Sequence, residues 1–390
     1  MLLSKRVKYI LYIVFAAGIV FIIVFLSIKL SSNNSNTSYT LYYPEPLLPE
    51  NITTYKYNLL DVRNNKKFDS NRFHTKNEEN KLKFRKTIYD KSNKCCFPSS
   101  AKLFDENLAR RKLIGVGAYG NVYETTTKCC GNVYALKVLG VNDEKEIIDE
   151  ELYFLEYFQH NYTPNVIKGY YGYKDGDYIA LIYEYLNSTL ENKSYAINNT
   201  EFYKYNSTNV LNIAKSLVLG IAILHKNNII HRDIKPDNIG IDSNNQIKIF
   251  DFGISKNNKS QFKMNNGTGT ILFMPPERLV DPINVTFDTD WYALGITLYI
   301  LVENYYPYEI DMNLITKPEN IVQFVKKLYY SIMNKPMRPF QNKNVDKHLK
   351  EFIRGLITKN KHDRLGYNVR KILNHKYFEN TDIKEIYNKF

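Results

Sequence analysis

Hydrophobic and polar positions alternate along this chain with a rhythm that changes four times. From Tyr9 to Ile28 no charged residue occurs and Ile, Val, Leu and Phe dominate. At ~1.5 Å per residue that stretch is long enough for a helix to cross the hydrocarbon of a bilayer. It exceeds the apolar region of a signal peptide, and no small-residue cleavage site follows it. A transmembrane helix is therefore expected over 9–28, after a short basic N-terminus, 1–8. Residues 29–107 read as a polar and basic stalk: a Ser/Asn/Thr run from Ser31 to Ser38, prolines at 44, 46 and 49, then no sustained periodicity.

A two-residue rhythm begins near Leu113. Apolar residues alternate through Leu113–Tyr123, a turn falls near Cys129 to Asn132, and Val133–Leu139 alternates again, which predicts a hairpin and a third strand. The first turn carries Gly115, Gly117 and Gly120 in GxGxxG spacing. Flanked by strands rather than opening a helix, such a loop folds over phosphates, and its glycines let backbone N–H groups approach the oxygens. From Glu144 to Phe158 the spacing becomes helical, with Ile147, Ile148, Glu151, Leu155 and Phe158 on one face. An acidic residue on an apolar face needs a cation. Lys137, in the apolar strand Ala135–Val138, is available, with Glu150 as the alternative acid. Farther on, Ile229-Ile230 leads into the charged run His231 to Asn238, then come two short apolar strands and Asp251-Phe252-Gly253.

Composition narrows the classes. In 390 residues an aromatic share of 14% excludes a wholly disordered chain. The four cysteines form adjacent pairs, Cys95-Cys96 and Cys129-Cys130, without the spacing of a zinc site. Of the net charge of +13, nine units lie in residues 1–105, with 17 Lys and Arg against 8 Asp and Glu, and no recognition module accompanies them. Nucleic acid is not an expected partner. Lys5, Arg6 and Lys8 precede the apolar stretch and residues 31–50 hold no Lys or Arg, so the charge bias directs the rest of the chain to the lumenal or exterior side. Sequons at Asn51, Asn187 and Asn206 suit that side.

The run His231-Arg232-Asp233-Ile234-Lys235-Pro236-Asp237-Asn238 and the later Asp251-Phe252-Gly253 resemble the catalytic and DFG loops of eukaryotic protein kinases. Gly269 to Glu277 resembles the end of the activation segment, Asp290 to Gly295 the central buried helix, and Asp363 to Gly366 the loop whose Arg364 pairs with Glu277. The resemblance runs over about 108–378, leaving 379–390 as a tail, and implies an α+β, two-lobed fold with a small β-rich lobe and a larger helical lobe. It implies ATP and Mg²⁺ as cofactors, protein substrates, and these roles: Asp233 orienting the attacking hydroxyl, Lys235 neutralising the transferred phosphoryl group, Lys137 on the phosphates with Glu151 behind it, and Asn238 and Asp251 on the metal. Around the base it implies Val122 and Ala135 above the ring, Tyr183 as gatekeeper, and the backbone of Glu184 to Leu186 at the adenine edge. Thr270 lines the acceptor site, and Lys235, two residues past Asp233, is the form found in serine/threonine kinases.

Some positions depart from the pattern. Gly240 stands where the family has a bulky apolar floor for adenine. Arg232 implies a cationic pocket for a phosphorylated activation segment, but the usual site is Asn266, leaving Thr268 and Ser260 as weaker candidates. Residues Asn187 to Asn209 read as a polar insertion. The family's cytosolic habit opposes the charge bias, so the side of the membrane stays open. On the lumenal side the cysteine pairs would join stalk to hairpin by disulfide, and in the cytosol they would be free thiols.

Overall fold

The computed structural model describes residues 108–390 except 117–119, 128–130, 141–144, 176–177, 192–206, 258–268, 283–284, 312–313 and 315–319. The expected membrane helix, the stalk, all four cysteines, Gly117, Ser260, Asn266 and Thr268 lie outside the described residues. Among those described, no helix is long and apolar enough to cross a membrane.

Alternation builds the first lobe. Strands β1 (Leu108–Val116), β2 (Gly120–Thr127), β3 (Val133–Gly140), β4 (Gly169–Asp175) and β5 (Tyr178–Glu184) form one antiparallel sheet in the order β1-β2-β3-β5-β4. Directly opposed residues share a face. Ala135 therefore lies with Tyr183, Lys137 with Val122 and Leu181, and Leu139 with Ile179. Helix α1 (Lys145–His160) packs Ile148 and Leu155 onto this face against Leu139, Ile179 and Leu181. At the β1–β2 turn Gly120 admits no side chain, because a Cβ there would run into the Val138 carbonyl.

The second lobe is helical. Helix α2 (Ser207–Lys226) leads through β7 (Ile229–Ile230) into a loop, then β8 (Ile239–Ile241) and β9 (Ile247–Ile249); β10 (Lys256–Asn257) returns to pair with β7. Short α3 (Pro276–Val280) precedes α4 (Asp288–Glu303), whose every residue is buried, as its near-continuous apolar run with Trp291, Tyr292 and Tyr299 requires. Helix α6 (Lys347–Leu356) packs on it, while α5 (Ile321–Asn334) lies against α3 and α7 (Val369–Leu373) against α2.

Two segments carry structure that their sequence did not announce. Ser188–Thr189, assigned by its polarity to an insertion, forms β6 and pairs with Gly240 and Ile241 of β8, because backbone pairing does not need apolar side chains. Residues 379–390 are not a free tail. Helix α8 (Ile383–Lys389) docks on α2 with Ile383 buried, Lys215 paired with Asp382, and Lys226 5.1 Å over the Tyr387 ring.

Candidate active site

The sheet and α1 bring three charged groups together. Lys137 Nζ lies 2.7 Å from both carboxylate oxygens of Glu151 and 3.0 Å from Asp251 Oδ1 in the other lobe. Glu151 shares the α1 face of Ile148 and Leu155, three and four residues away, which aims it at β3. Glu150 is buried too, but Glu151 is the lysine's partner. The Tyr183 hydroxyl donates to Glu151 Oε1 at 3.2 Å, a bond that sequence spacing did not reveal.

A second set forms beyond β7. Asp233 Oδ1 accepts from the Thr270 hydroxyl at 2.7 Å and the Thr270 N–H at 3.0 Å; Oδ2 accepts from Asn238 Nδ2 at 2.8 Å and faces Lys235 Nζ at 2.9 Å. Lys235 also donates to the Thr270 hydroxyl at 2.9 Å. The loop bearing this set is held from below by Asp290, fully buried at the start of α4, which accepts from the backbone N–H groups of His231 and Arg232, each at 2.8 Å, and meets His225 Nε2 at 2.9 Å. Arg232 (φ 73°) and Asp251 (φ 67°) adopt the left-handed backbone, at a cost of ~1–3 kcal/mol each for residues with a Cβ. Asp290 offsets the first. Near the second, His231 meets the Phe250 carbonyl at 3.0 Å and the Phe252 ring at 4.8 Å.

The remaining expected residues surround these sets. Val122 and Ala135 share the Lys137 face. Gly115, opposite Val122, has room for a side chain, unlike Gly120. Glu184 ends β5, its N–H donating to the Lys168 carbonyl at 3.0 Å and its carboxylate accepting from Lys168 N at 2.7 Å, which fixes the chain leading to Leu186. Arg364 grips Glu277 at 2.7 and 3.0 Å and Asp288 at 2.8 Å, tying α3 to α4. Arg278 was not anticipated. It is fully buried, donates to the Pro282 carbonyl at 2.9 Å, and is pushed down to about 9 by burial and then by the Arg232 guanidinium. No sequence signal marks it, since an arginine in a short helix reads as surface.

The protein kinase domain family matches residues 108–378, about seven tenths of the chain. The chain belongs to this family. Calcium-dependent protein kinase 4 of Plasmodium falciparum is 30% identical over 222 residues, covering 54% of this chain and 40% of that protein. Serine/threonine-protein kinase sgk-1 of Caenorhabditis elegans is 27% identical over 293 residues, 71% of this chain and 57% of its own. Calcium-dependent protein kinase 6 of Plasmodium berghei is 30% identical over 230 residues, 56% of this chain and 15% of its own. The chain thus spans between 15% and 57% of the length of these three relatives.

Electrostatics in the kinase site keep the polar groups in useful forms. Burial alone would push the Lys137 ammonium down, but Asp251 and Glu151 outweigh it and hold the group above the ordinary lysine range. Burial would push Asp251 up; Lys137 outweighs it and holds the carboxyl below its usual range, so it is ionised at neutral pH. Burial and the neighbouring Glu151 keep the Tyr183 hydroxyl protonated and able to donate.

The donor set suits a hard divalent cation. Asn238 spends its amide N–H groups on Asp233, at the carboxylate and the 2.9 Å carbonyl, which leaves its amide oxygen for a metal beside the ionised Asp251. Among the described residues no group of three or more His, Cys, Asp and Glu could hold a metal ion. Two protein oxygens completed by phosphate and water suit Mg²⁺.

Proposed function

We propose that this chain is a membrane-anchored protein kinase that transfers the γ-phosphoryl group of ATP to serine and threonine hydroxyls of proteins. One observation supports this above all: Lys137 joins Glu151 and Asp251 across the two lobes, while Asp233, Lys235, Thr270 and Asn238 form one hydrogen-bonded set beside them. Lys137 binds phosphate oxygens, with Glu151 fixing its direction. Asn238 and Asp251 hold Mg²⁺, which when bound neutralises phosphate charge. Asp233 accepts the proton of the attacking hydroxyl, and Lys235 offsets charge on the transferred group. Thr270 keeps both oriented. The backbone of Glu184 to Leu186 meets the adenine edge, under Val122 and Ala135, with Gly115, Gly117 and Gly120 over the phosphates.

Residues 9–28 anchor the chain. The charge bias favours the lumenal or exterior face for the domain, and the supply of ATP favours the cytosolic one. Protease protection of sealed vesicles decides between them.

The roles are tested in the full-length protein by Asp233→Asn. Transfer should fall ~10²- to 10⁴-fold, the range for a positioned base, with Mg-ATP binding retained. Undiminished transfer would remove Asp233 from the chemistry.

A further inference from the structure

Gly240 is the middle residue of β8, between Ile239 and Ile241, whose side chains are buried in the core of the helical lobe. Side chains alternate along a strand, so position 240 faces the other way. What it faces is Leu186, in the hinge two residues past the end of β5. A Cβ built on Gly240 would stand 3.1 Å from both Cβ and Cγ of Leu186 and closer still to Cδ1. Atoms in a packed interior do not approach so closely, so the volume a side chain at 240 would fill already belongs to Leu186.

The base of a nucleotide is flat, with two faces to shield from water, and a pocket that binds it supplies hydrocarbon to both. Here Val122 and Ala135 lie on the cleft face of the sheet, beside Lys137. Nothing comes from β8 at position 240. We infer that Leu186, reaching from the hinge onto the Cα of Gly240, is the floor of the nucleotide pocket and its main specificity-determining side chain, and that glycine at 240 is what makes room for it. The floor is one leucine, delivered from the hinge instead of from the strand after the catalytic loop. This rests on the reading of the cleft as an ATP site.

Exchanging the two residues tests it. In the full-length protein, Leu186→Ala removes the floor, whereas Gly240→Leu places a second side chain in a filled volume. Each single change should raise the Kd of Mg-ATP and its KM about ten-fold, the scale of lost or misfitted hydrocarbon in a pocket, with KM rising more than kcat falls. The double variant, Leu186→Ala with Gly240→Leu, restores one leucine to one volume and should return Kd to within about three-fold of the original. A Leu186→Ala protein that binds Mg-ATP as the parent does would overturn the inference, as would a double variant no tighter than the weaker single one. Should Gly240→Leu fail to fold, Gly240→Ala serves: its Cβ still forces Leu186 aside and must weaken ATP binding, and unchanged binding would overturn the inference. Failure of the parent protein to bind Mg-ATP would instead sink the functional reading beneath.

Discussion

At the scale of single residues, the site depends on groups whose neighbours decide what they do. Glu151 is held twice by Lys137, and a third time by a hydroxyl from the opposite strand, that of Tyr183. A hydrogen bond to a charged acceptor contributes ~1.5–3 kcal/mol, and one of 3.2 Å belongs at or below the low end. Tyr183→Phe keeps the ring and deletes only that bond. We expect the KM for ATP to rise about five-fold as Glu151 holds Lys137 less firmly; an unchanged KM would show that the hydroxyl plays no part in placing the lysine. The Lys137–Glu151 partnership was legible beforehand, because a helical face and a strand face each follow from spacing alone. The Tyr183 bond, Arg278 beside Arg232, and Leu186 over Gly240 were not. Each joins residues far apart in the chain through side-chain reach, which no local period encodes.

Elements matter here through the way they carry loops. Helix α4 is buried on all sides, so Asp290 at its start is a fixed point, and the His231-Arg232 backbone hangs from it. Burial would push Asp290 up, but the His225 hydrogen bond and the positive and N–H groups around it hold it below the usual carboxylate range. A carboxyl lowered on folding stabilises the fold fully above its unfolded value, about 4, and loses that contribution as pH falls through the folded value. Asp290→Asn should therefore cost about 2–3 kcal/mol of unfolding free energy at pH 7, and the gap to the parent should narrow as pH drops below about 4. Urea unfolding across that range checks it, and a gap of constant size would contradict the charge-based reading. Strands β1 to β3 and helix α1 could be read from periodicity, and the role of the loop came from its resemblance to kinases. Helix α8 was missed because seven residues, Ile383–Lys389, are too few for a period to stand out.

For the whole molecule, the kinase domain begins only after more than a hundred residues, and those carry most of the net positive charge and the apolar stretch 9–28. That stretch predicts that the full-length protein stays in the membrane pellet after alkaline carbonate extraction and leaves it when 1–30 is removed. Release of the intact protein by carbonate would mean that 9–28 does not span. The claim on which the rest depends is phosphoryl transfer itself. Its most direct measurement is the transfer of labelled phosphate from Mg-ATP to a generic basic protein and to the chain itself, with phosphoamino-acid analysis, for the parent and for Asp251→Asn. Label on serine or threonine that disappears in Asp251→Asn is the expected result; folded parent protein that binds Mg-ATP yet labels nothing, or label that persists in the variant, would contradict it.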